Sequence, residues 1–287
     1  MSKTWALVGV SMLAFAANSL FCRMALANTH IDPGLFTVIR LFSGALCLCL
    51  LVLFNQPKSA RKRAIFSVIF ANAKLVGAIA LFIYAAGFSY AYVNMSTGTG
   101  ALLLFGAVQL TMLCVSYFTG ERFSLLQWIG FGLALAGLIV LLLPSASTPP
   151  LVSAVFMVMA GMAWGVYSLL GKKAVNPLRL TAGNFAVATI ISLPLLAMLA
   201  FEGNLQFDIG GGIYALASGI IASGCGYAIW YKALPLIRST TAATVQLSVP
   251  VIATLMGWVF LAEAINMQII VASLMTLGGI GLVIAKR

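Results

Sequence analysis

Long apolar runs separated by short polar breaks dominate this chain. Ten runs stand out, at 5–27, 34–54, 70–92, 97–118, 125–143, 151–171, 181–201, 210–232, 239–261 and 265–285. Each comes close to the roughly 20 residues that carry an α-helix across about 30 Å of hydrocarbon. The breaks have turn chemistry: Asp32-Pro33, Asn55-Gln56-Pro57, the Ser- and Pro-rich stretch 144–150, and Asn176-Pro177. The third and fourth runs are divided only by the uncharged stretch 93–98, the softest boundary in the chain. Hydrocarbon offers no hydrogen-bond partners, so a spanning backbone must satisfy itself, as a helix does. The pattern predicts an all-α integral membrane protein of ten transmembrane helices. The first run, from Trp5 to an Ala25-Leu26-Ala27 that resembles a cleavage site, is long for a signal peptide and carries Asn18 and Arg23. It is read as the first helix.

Composition agrees with a lipid environment. The 287 residues are 62% hydrophobic and 7% charged, against about 25% charged in soluble domains. The net charge of +11 is not a nucleic-acid signature, because the basic residues sit in short clusters between apolar runs and not on one polar face. They report orientation. With the N-terminus inside, fourteen of the sixteen Lys and Arg residues fall on the cytoplasmic side, leaving Arg23 and Arg40 toward the outer half. The positive-inside rule then places both termini in the cytoplasm of a bacterial inner membrane. The five cysteines all lie within apolar runs without zinc-like spacing, as small buried thiols do.

The two halves resemble each other, as residues 1–146 and 147–287. Phe15 to Arg23 aligns with Trp164 to Lys172, Asp32-Pro33 with Asn176-Pro177, and the helix end at Glu121 with that at Glu263. Gly-rich stretches recur around Gly137 and Gly279. Five helices is an odd number, so the second copy enters the membrane from the opposite face, as two inverted five-helix repeats. Together, the first-helix pattern, Arg40, Pro250 followed by Glu263, and the two Gly-rich helices resemble the EamA-type drug/metabolite transporter superfamily. That resemblance covers nearly the whole chain and implies a ten-helix carrier of metabolites, with exporters of amino acids, aromatic ones included, among its relatives. The chain departs from the family pattern at Phe15, where Trp is usual, and at Val108, where a proline would match Pro250.

In such carriers the solute site lies near the bilayer midplane, between the repeats. Polar and aromatic residues in mid-helix are therefore the candidate substrate-binding groups: Asn18, Ser19, Tyr84, Phe88, Gln109, Trp164, Tyr167, Tyr227, Gln246 and Ser248. For the amides, hydrogen bonding between helices is the competing role. Tyr90, Tyr92, Trp230 and Tyr231, near helix ends, fit an interfacial aromatic belt, as do Trp5 and Trp128. Arg40, about six residues into the second run, is a candidate gate or carboxylate-binding group in the outer vestibule, although that depth favours snorkelling to the outer headgroups. Arg23 is read as a snorkelling or gate charge, and His30 as a solvated loop residue. Pro250 predicts a break in the ninth helix. Ala215, Gly219 and Ser223 predict close packing of the eighth, with a flexible gate as the alternative.

No Asp or Glu lies in mid-membrane and the single histidine is in a loop. A buried carboxylate or histidine is the usual proton relay, so the reading is a facilitator. There is no P-loop, no metal-ligand spacing and no acid/base pair, so neither an enzyme nor a cofactor or metal is expected. The expected partners are a small-molecule substrate and the lipid bilayer, with the chain acting as a monomer. A multidrug or cation effluxer, and a membrane-embedded enzyme or scaffold, are the competing functions.

Overall fold

A computed structural model describes residues 2–55, 73–120, 122–143, 148–172, 174–203, 205–237 and 245–285. The basic loop 58–63, Glu121, Lys173, Arg238, Lys286, Arg287 and the first residues expected of the ninth helix, 239–244, lie outside them. Ten helices result: α1 Ser2–Asn28, α2 Pro33–Phe54, α3 Leu75–Tyr92, α4 Thr97–Phe118, α5 Leu125–Leu142, α6 Leu151–Lys172, α7 Pro177–Phe201, α8 Ile209–Ala233, α9 Ser248–Leu261 and α10 Met267–Ala285. Eight are long and apolar enough to span a membrane by themselves, and α9 and α10 are shorter.

Side-chain caps set where several helices begin. The Asp32 carboxylate accepts from the backbone N–H of Gly34 (2.7 Å) and Leu35 (3.1 Å), with Pro33 as the first helical residue. Asn176 and Pro177 repeat the device at α7, with Asn176 Oδ1 accepting from Arg179 N at 3.1 Å. Asp208 caps α8, and Ser124 with Gln127 forms a reciprocal capping box at α5. These caps satisfy N–H groups that a helix leaves free at its start.

The burial pattern inverts that of a soluble protein. Phe42, Leu46, Leu50 and Phe54 form a four-residue-spaced exposed stripe on α2, whereas Thr37, Arg40, Ser43, Ser89, Thr181, Asn184 and Ser218 are buried. Lipid tails are as apolar as leucine, so apolar residues gain nothing from facing inward, and polar groups seek one another inside.

Helix contacts follow the repeat. Replacing each helix by its counterpart five places on interchanges α3–α6 with α8–α1, α4–α6 with α9–α1, and α2–α8 with α7–α3, and all of these pairs are in contact. The pairs α2–α7, α4–α9 and α5–α10 map onto themselves and cross between halves. Two inverted five-helix repeats with a pseudo-two-fold axis produce this pattern. Close backbone approach cements it: a Cβ on Gly130 would lie 2.6 Å from the carbonyl oxygen of Gly279. The small residues of α8 likewise serve packing: a Cβ on Gly219 would meet the Arg40 carbonyl oxygen at 2.5 Å. Between Ser218 and Cys225 α8 widens into a π-helical turn, a feature frequent at functional sites.

Candidate substrate-binding site

The polar interior gathers around one cavity, where α1, α3, α4, α6 and α8 meet. Its walls are Phe15, Asn18, Ser19, Tyr84, Phe88, Leu104, Phe105, Trp164, Ala222 and Tyr227. Trp164 is its aromatic hub, stacked on Tyr227 (5.1 Å between ring centroids) and Tyr167 (5.4 Å) and tilted against Tyr84 (4.8 Å). Such pairs prefer offset and edge arrangements and add to burial alone. The water-sized space is about 20 Å³, room for about one water molecule. A metabolite enters a space of that size only if the walls part.

A polar chain runs through the same wall. Ser218 Oγ donates to Asn18 Oδ1 at 2.6 Å, Asn18 Nδ2 donates to the Tyr84 hydroxyl at 3.2 Å, and Arg40 Nη2 donates to that hydroxyl at 3.0 Å. The guanidinium of Arg40 also lies 5.0 Å from the ring centre of Tyr84 and 4.9 Å from that of Phe88, within cation–π range. Arg40 is 1% exposed, and its Nε and Nη1 have no hydrogen-bond partner among the described residues. The snorkelling reading of Arg40 is thus overturned. The side chain turns inward, to the hydroxyl and ring of Tyr84. Among the described residues no carboxylate forms an ion pair with it: Asp32 and Asp208 cap helices, and Glu263 is bound to Arg23 and a backbone N–H.

The end of the bundle reached by the C-terminus of α1 is tied shut. Arg23 Nη1 donates to the carbonyls of Tyr92 (2.9 Å) and Val93 (2.8 Å), and its Nε pairs with Glu263 at 3.4 Å. The other Glu263 oxygen accepts from Thr97 N at 2.7 Å, at the N-terminus of α4. Glu263 reaches these groups because Ala262 ends α9 in the left-handed conformation (φ 51°), a geometry costing a non-glycine residue about 1–2 kcal/mol.

The EamA-like transporter family model matches residues 3–143 and again 151–285. The chain belongs to this family. An uncharacterised protein of Pseudomonas aeruginosa is 49% identical over 99% of this chain and 96% of its own length. An uncharacterised transporter of Archaeoglobus fulgidus is 25% identical over the whole of this chain and 99% of its own. A probable terminal-alkyne amino-acid exporter of Streptantibioticus cattleyicolor is 23% identical over 73% of this chain and 71% of its own. A crystal structure with 18% identity superposes with a TM-score of 0.63, covering 98% of this chain and 96% of that one, and shares the fold. The protein is accordingly a multi-pass membrane transporter of small molecules.

Within this EamA-family bundle, six sequence-named residues line the cavity: Asn18, Ser19, Tyr84, Phe88, Trp164 and Tyr227. Tyr167 stands behind Trp164 and donates to Thr181 Oγ1 at 3.2 Å. Gln109 is buried on α4 one turn beyond Phe105 without reaching the cavity wall. Gln246 and Ser248 do not line it either; they flank the start of α9, where the Ser248 hydroxyl donates to Val245 O at 2.6 Å. The helix is interrupted at Leu247, and Pro250 is the third residue of the segment that follows. Tyr92 and Trp230 are buried, 0% and 8% exposed, and not in an interfacial belt. Phe88 stacks edge-on against Tyr92, and Phe15 against Trp230, which draws both rings inward.

Phe15, Leu104, Phe105, Ala222 and Ser218 escaped sequence reasoning. Phe15 lies three residues before Asn18, on the same helix face, and could have been inferred. Ala222 and Ser218 carry no sequence signal, since the π-helical turn shifts which face of α8 looks inward.

Proposed function

We propose that the protein exports small metabolites, amino acids with apolar or aromatic side chains foremost, by alternating access between the halves 1–146 and 147–287. The observation that carries this reading is Arg40: a buried cation without an anionic partner among the described residues, one hydrogen bond from an aromatic-walled cavity. A charge in the membrane interior costs about 2.5–3.5 kcal/mol on insertion scales. A carboxylate entering the cavity supplies the missing counter-charge, and the Trp164–Tyr227 wall accepts the side chain. The amino-acid exporter among the relatives supports the same substrate class.

In this reading the transporter sits in the bacterial inner membrane with both termini in the cytoplasm. Arg23 and Glu263 then close the outer face, and the transported solute moves down its own gradient as through a facilitator. The test is counterflow: purified protein in proteoliposomes preloaded with unlabelled amino acid accumulates labelled phenylalanine, leucine or tryptophan without any ion gradient. Absence of exchange across an amino-acid panel overturns the substrate assignment, and strict dependence on an imposed proton gradient overturns the facilitator.

A further inference from the structure

We propose that the site recognises its substrate by the carboxylate and the apolar body and not by the ammonium, so that carboxylates lacking an amino group are transported and the corresponding amines are excluded. This rests on the amino-acid reading above and narrows it.

The hydrogen-bonding inventory is weighted towards donors and holds no anionic acceptor. Arg40 offers Nε–H and the two N–H groups of Nη1, all without partners, and a guanidinium cannot accept. The Tyr84 oxygen already accepts from Asn18 Nδ2 and Arg40 Nη2. Both its lone pairs are occupied, so what it retains is its own proton, a fourth donor. On the acceptor side, Asn18 Oδ1 is engaged by Ser218, and the unpartnered Ser19 hydroxyl on the wall is a neutral group that can donate as readily as accept. Asp32, Asp208 and Glu263 are held in caps and in the Arg23 pair. A carboxylate is acceptor-only and has room for several donors. It matches this set, and a planar fork to a carboxylate is the arrangement a guanidinium is built for. An ammonium has three donors to place and finds no carboxylate, and it is repelled by the fixed charge of Arg40. The aromatic faces give it a weaker cation–π alternative: Arg40 already lies over Tyr84 and Phe88, and Trp164 is stacked with Tyr167 and Tyr227.

Charge balance adds a second signature. A zwitterionic amino acid crosses without net charge. A carboxylate without the amine carries one negative charge, and an interior-negative potential drives it outward, by about 50-fold in accumulation per 100 mV.

The experiment uses the full chain in two formats. In proteoliposomes, phenylpropionate and phenethylamine compete against labelled phenylalanine counterflow. Phenylpropionate is expected to match phenylalanine within about threefold, and phenethylamine to be at least tenfold weaker. A valinomycin-set potassium diffusion potential, negative at the face the labelled solute leaves, is expected to speed labelled phenylpropionate flux and leave phenylalanine flux unchanged. In detergent, the same two ligands are tested for thermal stabilisation, which requires no transport. Stabilisation by phenylpropionate alone, lost in Arg40→Gln and partly kept in Arg40→Lys, supports the proposal. Phenethylamine competing or stabilising as well as phenylpropionate overturns it while leaving amino-acid export standing. If no amino acid exchanges but phenylpropionate still binds through Arg40, the amino-acid reading falls and carboxylate recognition survives. If neither ligand binds, the proposal fails outright.

Discussion

Positions 40 and 184 occupy the same place in the two halves. Each lies eight residues beyond a capping side chain, Asp32 or Asn176, that is followed by proline. Three residues before each, Thr37 and Thr181 are both fully buried and hydrogen-bonded to another helix, Thr37 to Ser89 and Thr181 to Tyr167. Arg40 and Asn184 are each 1% exposed and each keep an unpartnered nitrogen. Yet Arg40 is a cation bonded to the cavity wall at Tyr84, whereas Asn184 is neutral and its Oδ1 accepts from Lys74 N at 2.8 Å. The repeat duplicates the frame and not the chemistry. An inverted pair of scaffolds supports two related packings, and a charge present in only one half gives the shared cavity a polarity that the symmetry alone lacks.

The largest expected effect comes from abolishing that difference. Asn184→Arg places a second unpaired cation in the bundle and should lower stability by about 3 kcal/mol, read as a fall in the detergent melting midpoint. A midpoint equal to that of the native chain would mean position 184 is less enclosed than Asn184 implies. Next, Arg40→Gln makes both halves neutral. Loss of charged hydrogen bonds to substrate, about 1.5–3 kcal/mol, should weaken counterflow by roughly tenfold to a hundredfold. Stability should hold or rise, because an uncompensated buried charge is gone. Equal losses of transport and stability would make Arg40 a structural residue only.

Tyr84→Phe keeps the ring and removes the oxygen that joins Asn18 to Arg40. A loss of about 1 kcal/mol, some fivefold in apparent affinity, is expected, and an unchanged affinity would detach Arg40 from the cavity. The smallest effect concerns the closed end. Glu263→Gln removes the ion pair with Arg23 but keeps an oxygen for Thr97 N. Arg23 and Glu263 are partly exposed, 21% and 16% by side chain, so the pair contributes at most about 1 kcal/mol. Labelling of a cysteine placed at Ser19, from the Arg23 side, should rise a few-fold. No change would locate the barrier elsewhere, in the Phe88–Tyr92 stack.

Much of the site could be read from the chain, and the misreadings have one cause. Asn18, Tyr84 and Trp164 stood out because polar and aromatic groups in mid-membrane need a reason to be there. Arg40 was assigned to the headgroups and Tyr92 and Trp230 to the belt, because depth along a helix was used to judge them. Depth does not say which way a side chain turns around the helix. Gln246 and Ser248 pass the same depth criterion, yet they flank an interruption in the helix and not the cavity.

The sequence by itself determined the membrane environment, the ten spans, the duplication and the family, because these depend on the length and order of apolar runs and on where charge is tolerated. Only the tertiary structure decided which polar groups meet: Arg40 with Tyr84, Asn18 with Ser218, Arg23 with Glu263. Lipid and helix interior are nearly equal in apolarity, so hydropathy cannot distinguish the lipid-facing side of a helix from the packed side. That choice is made by the neighbouring helices, once close backbone contacts such as Gly219 against α2 bring them together.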